Sequence, residues 1–156
     1  MNRPNWDEYF LTLAKVIRTR STCMRRQVGA VLTKDNRILT TGYNGPPRGL
    51  AHCKDREGGC LRDKMNVKSG QRDELCRAIH AEANTIIQAA LHGVATDGST
   101  LYCTTSPCNI CAKLLIGAGV RRIVTIESYP ADLALEMLQE AKVDMIQIPS
   151  VQMPEL

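Results

Sequence analysis

The stretch STLYCTTSPCNICAKLLIGAGVRRIVTI, residues 99–126, decides the fold. Residues 99–104 read as a strand. Ser106-Pro107 supplies a capping hydroxyl with Pro at the first helical position, which predicts a helix running to Ala118 and stopping at Gly119. Arg121–Ile126 is a second strand. Two strands separated by one helix imply parallel pairing, with the helix lying on the sheet. The pattern extends in both directions. Ile79, Ala83, Ile86, Ile87 and Ala90 recur at helical spacing and predict a helix over roughly 78–91, stopped by Gly93. Downstream, Ala131–Ala141 reads as a helix and Asp144–Ile148 as a last strand. Upstream, Val28–Thr33 and Arg37–Tyr43 form a hairpin through Lys34-Asp35-Asn36, and Trp6, Tyr9, Phe10, Leu13, Val16 and Ile17 mark an amphipathic helix over 5–19. The expected fold is a three-layer α/β/α sandwich around a mixed five-stranded sheet.

A chain of 156 residues suits one compact domain, and 44% hydrophobic residues suffice for its core. Aromatic residues are only 4%, which argues against a surface that stacks single-stranded bases. The formal charge of +4 is scattered; it suits a small anionic ligand at least as well as nucleic acid. Met1 to Phe10 carries Asp7 and Glu8 and has no apolar core, so it does not read as a signal peptide, and no apolar run approaches a membrane span. A cytoplasmic location is expected. There the seven cysteines point to metal before disulfides.

Two segments carry the chemistry, His80-Ala81-Glu82 and Pro107-Cys108-Asn109-Ile110-Cys111, each at the start of an expected helix. Cys108 and Cys111 share a helix face, near the positive helix end that favours thiolate. A Cys-x-x-Cys pair alone could equally be a redox motif or a structural zinc half-site. One imidazole and two thiolates leave a tetrahedral position open, as in catalytic zinc sites. Glu82 is then placed to be the acid/base rather than a ligand. His-x-Glu with Pro-Cys-x-x-Cys is the signature of zinc deaminases.

The sequence thereby resembles the cytidine deaminase superfamily, and within it the deoxycytidylate (dCMP) deaminases. Val28-Gly29-Ala30-Val31, the run Gly42-Tyr43-Asn44-Gly45-Pro46-Pro47 and the long segment between Asn44 and His80 add to the likeness. The resemblance implies one deaminase domain over 1–156, with a cysteine-bearing insertion at about 44–76. It implies zinc on His80, Cys108 and Cys111, proton transfer by Glu82, a contact from the Ala81 N–H to the base carbonyl, and hydrolysis of dCMP to dUMP and ammonia. It also implies a homo-oligomer, commonly a hexamer, activated by dCTP and inhibited by dTTP.

Other residues are read more openly. Asn44 either binds the sugar hydroxyl, as in the superfamily, or shapes a turn before Gly45. Arg25 and Arg26 are candidates for the phosphate, Arg26 preferred, against a solvated basic loop. Tyr129 follows a strand end, where it would close over the nucleotide. Cys23, Cys53, Cys60 and Cys76 surround the insertion and suggest a second, closed zinc site, with His52 a possible substitute ligand, while Cys103 reads as a small core residue. Tyr43 and Gly45 lie in the run linked to effector binding, where glycines would let backbone N–H groups approach phosphates. Lys54, Arg56, Arg62, Lys64, Lys68 and Arg72 offer charge for a triphosphate and its Mg2+, unless they are merely solvated. The rivals to dCMP deamination are a deaminase acting on a base in tRNA or other nucleic acid, against which the long insertion speaks, and a non-catalytic zinc module, against which Glu82 speaks.

Overall fold

Asn5 opens the first helix, α1 (Trp6–Arg18), with a capping box: its Oδ1 accepts the Glu8 N–H and the Glu8 carboxylate accepts the Asn5 N–H, each at 2.9 Å. The structure is a computed structural model, and it describes residues 3–151. Phe10, Leu11 and Ala14 form the buried face of α1. Trp6, Tyr9 and Val16, which spacing also assigns to that face, remain partly exposed.

Strands β1 (Gly29–Lys34) and β2 (Arg37–Tyr43) pair antiparallel. Asp35 and Asn36 join them at φ 50° and 56°, the left-handed turn whose twist suits a hairpin and which Asn and Asp tolerate. The insertion follows, holding one helical turn, α2 (Leu61–Lys64), between 3-10 turns at Cys53–Asp55 and Asp73–Leu75. Next come α3 (Ala81–His92), β3 (Thr100–Thr105), α4 (Asn109–Gly117), β4 (Arg122–Glu127), α5 (Asp132–Glu140) and β5 (Asp144–Gln147). The strand order is β2-β1-β3-β4-β5. β1 is antiparallel to both its neighbours, while β3–β4 and β4–β5 are parallel. The mixed five-stranded sheet is the one expected.

Crossovers between parallel strands keep one hand, so α4 and α5 fall on the same face of the sheet. α3 joins them there, and Leu32, Leu101, Leu115, Ile123 and Leu138 fill that interior. The opposite face is covered by α1, through Phe10 and Leu11 on Val31, Tyr102 and Val124. Each wholly buried Leu or Ile contributes about 1.5–3 kcal/mol by leaving water. Gly42 marks the tightest approach of sheet to helix: a Cβ there would overlap the Ala81 carbonyl oxygen and stand 2.9 Å from the Thr85 nitrogen. Only glycine lets the first turn of α3 rest on β2.

One expected boundary is corrected. α4 does not begin at Ser106-Pro107; its N-cap is Cys108, whose sulfur accepts the Cys111 N–H at 3.5 Å. The Ser106 hydroxyl instead accepts the Tyr129 N–H at 2.7 Å. Among the described residues no helix is long and apolar enough to cross a membrane.

Candidate active site

α3 runs into β3, and β3 into α4, so both helices start at the same end of the sheet. That end is the carboxyl edge of β3 and β4, where α/β sheets hold ligands. His80 is the N-cap of α3 and Cys108 that of α4. The His80 Nδ1 lies 3.4 Å from the Cys108 sulfur and 3.6 Å from the Cys111 sulfur. Usual zinc–nitrogen and zinc–sulfur bonds at a tetrahedral angle place the two ligand atoms about 3.6 Å apart. The three residues therefore fit a zinc ion. Among the described residues, they are the only three His, Cys, Asp or Glu side chains whose ligand atoms all lie within 4.8 Å of one another.

The three groups are tightly coupled in their protonation. The Cys111 thiol, the His80 imidazole and the Cys111 backbone N–H all favour thiolate on Cys108, whose pKa is drawn down to about 4. The neighbouring Cys108 sulfur and burial push Cys111 the other way, because two thiolates side by side repel. Hydrogen bonding to Cys108 and Cys76 raises His80 to about 11. These groups compete for protons, so zinc binding would release protons.

Glu82 sits in the first turn of α3, 4% exposed. Burial pushes its carboxyl up to about 7, against the pull of His80, so it is poised to take and give a proton near neutral pH. Ala81 is fully buried beside it at the first position of the helix, where a backbone N–H has no partner within the helix.

The cavity next to this cluster is lined by Arg26, Val28, Asn44, Arg62, Arg77 and Tyr129, among others. Asn44 is 7% exposed; its Oδ1 accepts the Val28 N–H and its Nδ2 donates to the Arg26 carbonyl, both at 2.8 Å. It clamps the lead-in of β1 and keeps one amide N–H and one lone pair in reserve. Arg25 also lines the cavity, but its guanidinium is engaged, with Nη1 2.6 Å from Asp63 Oδ1 and Nη2 donating to the Val67 carbonyl at 2.9 Å. Arg26 lies at the cavity too, its guanidinium 5.7 Å from the Tyr129 ring centroid and its Nη1 buried without a hydrogen-bond partner among the described residues. Tyr129 does not close freely over the cavity: its hydroxyl donates to Asp73 Oδ1 and accepts the Gly70 N–H, both at 2.9 Å.

Cys23, Cys53, Cys60 and Cys76 line the same cavity, and the other three thiols, after burial, help to raise the Cys53 pKa. His52 Nδ1 is hydrogen-bonded to Thr22. Cys103 is buried in β3, the core residue expected. Tyr43 is 38% exposed. Gly45 differs from expectation: its N–H donates to Ile79 at 3.1 Å and its carbonyl accepts the Ile79 N–H at 2.8 Å, so that donor is taken. Arg62 is also not a solvated insertion charge. It is 6% exposed, 3.2 Å from Asp73, and bonded to the carbonyls of Lys68 and Gln71. Arg77, whose Nε is buried and without a partner among the described residues, was not among the residues expected at the site. Its place three residues before His80, at the mouth of the motif, was the available signal.

The pattern described as the cytidine and deoxycytidylate deaminase zinc-binding region matches residues 4–127. A deoxycytidylate deaminase of Schizosaccharomyces pombe is 39% identical over 146 residues, covering 93% of this chain but 44% of that protein, so the chain spans about half its length. The deoxycytidylate deaminase of Mycobacterium phage D29 is 42% identical over 135 residues, 85% of this chain and 99% of that one. Among solved structures, the dCMP deaminase of cyanophage S-TIM5 in complex with dCMP and dUMP superposes with a TM-score of 0.77 at 29% identity, covering 95% of this chain and all of that one. From the capped start of α1 to the end of β4, this chain belongs to the cytidine and deoxycytidylate deaminase family.

Proposed function

We propose that the chain is a zinc-dependent deaminase that hydrolyses dCMP to dUMP and ammonia. The observation that carries this reading is the buried Glu82 one residue beyond the start of α3, beside the His80, Cys108 and Cys111 cluster and open to a cavity holding an unpartnered arginine nitrogen. A zinc ion on those three side chains would make its water ligand acidic enough to act as a nucleophile near neutral pH. Glu82 takes the proton from the attacking water, delivers it to N3 of the ring and assists the departure of ammonia from C4. The Ala81 N–H donates to the base carbonyl. Asn44 uses its remaining amide capacity on a sugar hydroxyl, and Arg26 holds the phosphate through its free Nη1. The cyanophage relative, crystallised with dCMP and dUMP, supports this choice of substrate.

Further parts of the reading are proposals of the same kind. A second zinc would be held by Cys23, Cys53, Cys60 and Cys76; that all four line one cavity supports it, while among the described residues no three of their sulfurs lie within 4.8 Å of one another. A homo-oligomer, as a hexamer, is supported by Ile87 and Leu91 on α3 and Ile110 and Leu114 on α4, apolar pairs left exposed on the outer helical layer. Control by dCTP and dTTP, with Mg2+ on the triphosphate, is supported by the exposed Tyr43 and by exposed Lys54, Lys64 and Lys68 in the insertion. One deaminase domain with an insertion at 44–76, working in the cytoplasm, completes it. Ammonia release from dCMP, CMP, deoxycytidine and tRNA, measured side by side, tests the function. Preference for dCMP is expected; turnover of tRNA alone, or of nothing by zinc-loaded protein, would overturn it in favour of a nucleic-acid deaminase or a non-catalytic zinc module.

A further inference from the structure

Tyr129 joins three parts of the molecule that are distant in sequence. Its backbone N–H is held by Ser106, in the loop that leads to Cys108. Its hydroxyl is saturated by the insertion, donating to Asp73 and accepting from Gly70. Its ring lies under the guanidinium of Arg26, 5.7 Å from centroid to Cζ, within the range of a cation–π contact. Asp73 is itself fixed by the buried Arg62, which also draws in the carbonyls of Lys68 and Gln71. The backbone of Arg26 is held by Asn44. Arg26 is thus anchored at its carbonyl and supported at its guanidinium, with Nη1 buried at the cavity and unpartnered among the described residues.

We propose that Tyr129 is a positioning residue: it aims Arg26 at the nucleotide phosphate and makes phosphate affinity depend on how the 44–76 insertion is seated. This rests on the reading of Arg26 as the phosphate ligand. The physical reason is preorganisation. An arginine side chain loses considerable rotamer entropy when it is fixed on an anion, and a ring that already holds it removes part of that cost. The ring is fixed because both bonding capacities of its hydroxyl are taken by the insertion. Gly70 makes the contact possible. It has φ +81°, and a Cβ there would stand 2.6 Å from the Pro130 oxygen and 2.9 Å from Pro130 Cγ. An added methyl would push the insertion off Tyr129 without touching the zinc ligands or Arg26.

Steady-state kinetics of the zinc-loaded full chain on dCMP and deoxycytidine test the idea, with dUMP binding by calorimetry as a readout apart from turnover. Tyr129→Leu removes the ring and is expected to raise KM for dCMP and Kd for dUMP about tenfold, in proportion to a desolvated cation–π contact. It should change kcat less, and deoxycytidine kinetics least. Tyr129→Phe keeps the ring but loses both bonds to the insertion, so it should recover only part of the loss. Gly70→Ala, acting from the insertion, should raise KM for dCMP in the same direction. Arg26→Met should erase the advantage of dCMP over deoxycytidine. If Tyr129→Leu leaves dCMP kinetics unaltered, or weakens both substrates by the same factor, the positioning role is overturned while the phosphate reading stands. If Arg26→Met does not separate the two substrates, the phosphate reading fails and the positioning role with it.

Discussion

Gly42→Ala places a methyl group where β2 meets the first turn of α3. Ordinary contact begins at 3.4 Å, and the new Cβ would stand 2.9 Å from the Thr85 nitrogen and overlap the Ala81 oxygen. Neither neighbour is a flexible side chain. The first turn of α3 must therefore retreat by about half an ångström at Thr85 and by more at Ala81. Overpacking of this kind costs about 1–3 kcal/mol. In a chain of this size that lowers Tm by roughly 2–12 °C. The displaced turn carries His80, Ala81 and Glu82, so the effect reaches chemistry as well. A misplacement near 1 Å can cost about 100-fold, and a fall in kcat of about 10- to 100-fold is expected here. Gly119→Ala is the control. It sits at φ +79° against Asp97, at the other end of α4 from Cys108, and should lower Tm with kcat retained. Thermal unfolding followed by circular dichroism, alongside ammonia release from dCMP, measures both. If Gly42→Ala leaves Tm and kcat at their original values, or lowers kcat no more than Gly119→Ala does, the reasoning from close approach is refuted.

Glu82→Gln should retain zinc and the folded state while turnover falls by about 10²–10⁴-fold, the usual worth of a positioned acid/base; near-normal turnover would remove Glu82 from the mechanism. Purified protein should carry about two zinc ions per chain, and Cys53→Ser or Cys60→Ser should reduce this to about one; elemental analysis giving a single ion, unchanged in both variants, would exclude the second site. The Arg122 guanidinium and the Tyr102 hydroxyl hold Asp7 below its ordinary value of 3.8. That interaction stabilises the fold fully above the ordinary value and is lost as pH falls through the depressed one, so acid unfolding of Asp7→Asn should depend less steeply on pH in that range. Saturation by dCMP should be sigmoidal alone and hyperbolic with dCTP, and dCMP should in turn tighten dCTP binding; hyperbolic kinetics indifferent to dCTP and dTTP would end the proposal of allosteric control.

The regular elements were legible because each is marked by local periodicity. Strands 29–34 and 122–127, and the helices between Ala81 and Glu140, lie within a residue or three of where spacing placed them. The zinc cluster was legible because His80 and Cys108 each open a helix. What was not legible depended on partners far along the chain. Ser106 looks like a cap, but the Tyr129 N–H, 23 residues away, takes its hydroxyl. Arg62 looks like one solvated charge among several, but Asp73 and two carbonyls bury it. The insertion has no period because its single turns are held by such contacts and not by an amphipathic face. Gly42 resembled a phosphate-binding glycine, and its role in seating α3 on β2 depends on a helix that begins 39 residues later.

Cys108 caps α4 with the same sulfur that faces His80. Helix and thiolate therefore stabilise each other reciprocally: whatever free energy the helix end contributes to ionising the thiol returns as resistance of that end to fraying. Serine at 108 would preserve the cap and discard the soft ligand, whereas alanine would discard both. The difference in α4 stability between those two variants measures the neutral cap alone; what the native cysteine adds beyond serine once its thiol is ionised is the share that ionisation returns to the helix. A residue usually valued for its affinity to a metal is here also the starting point from which its own helix is wound.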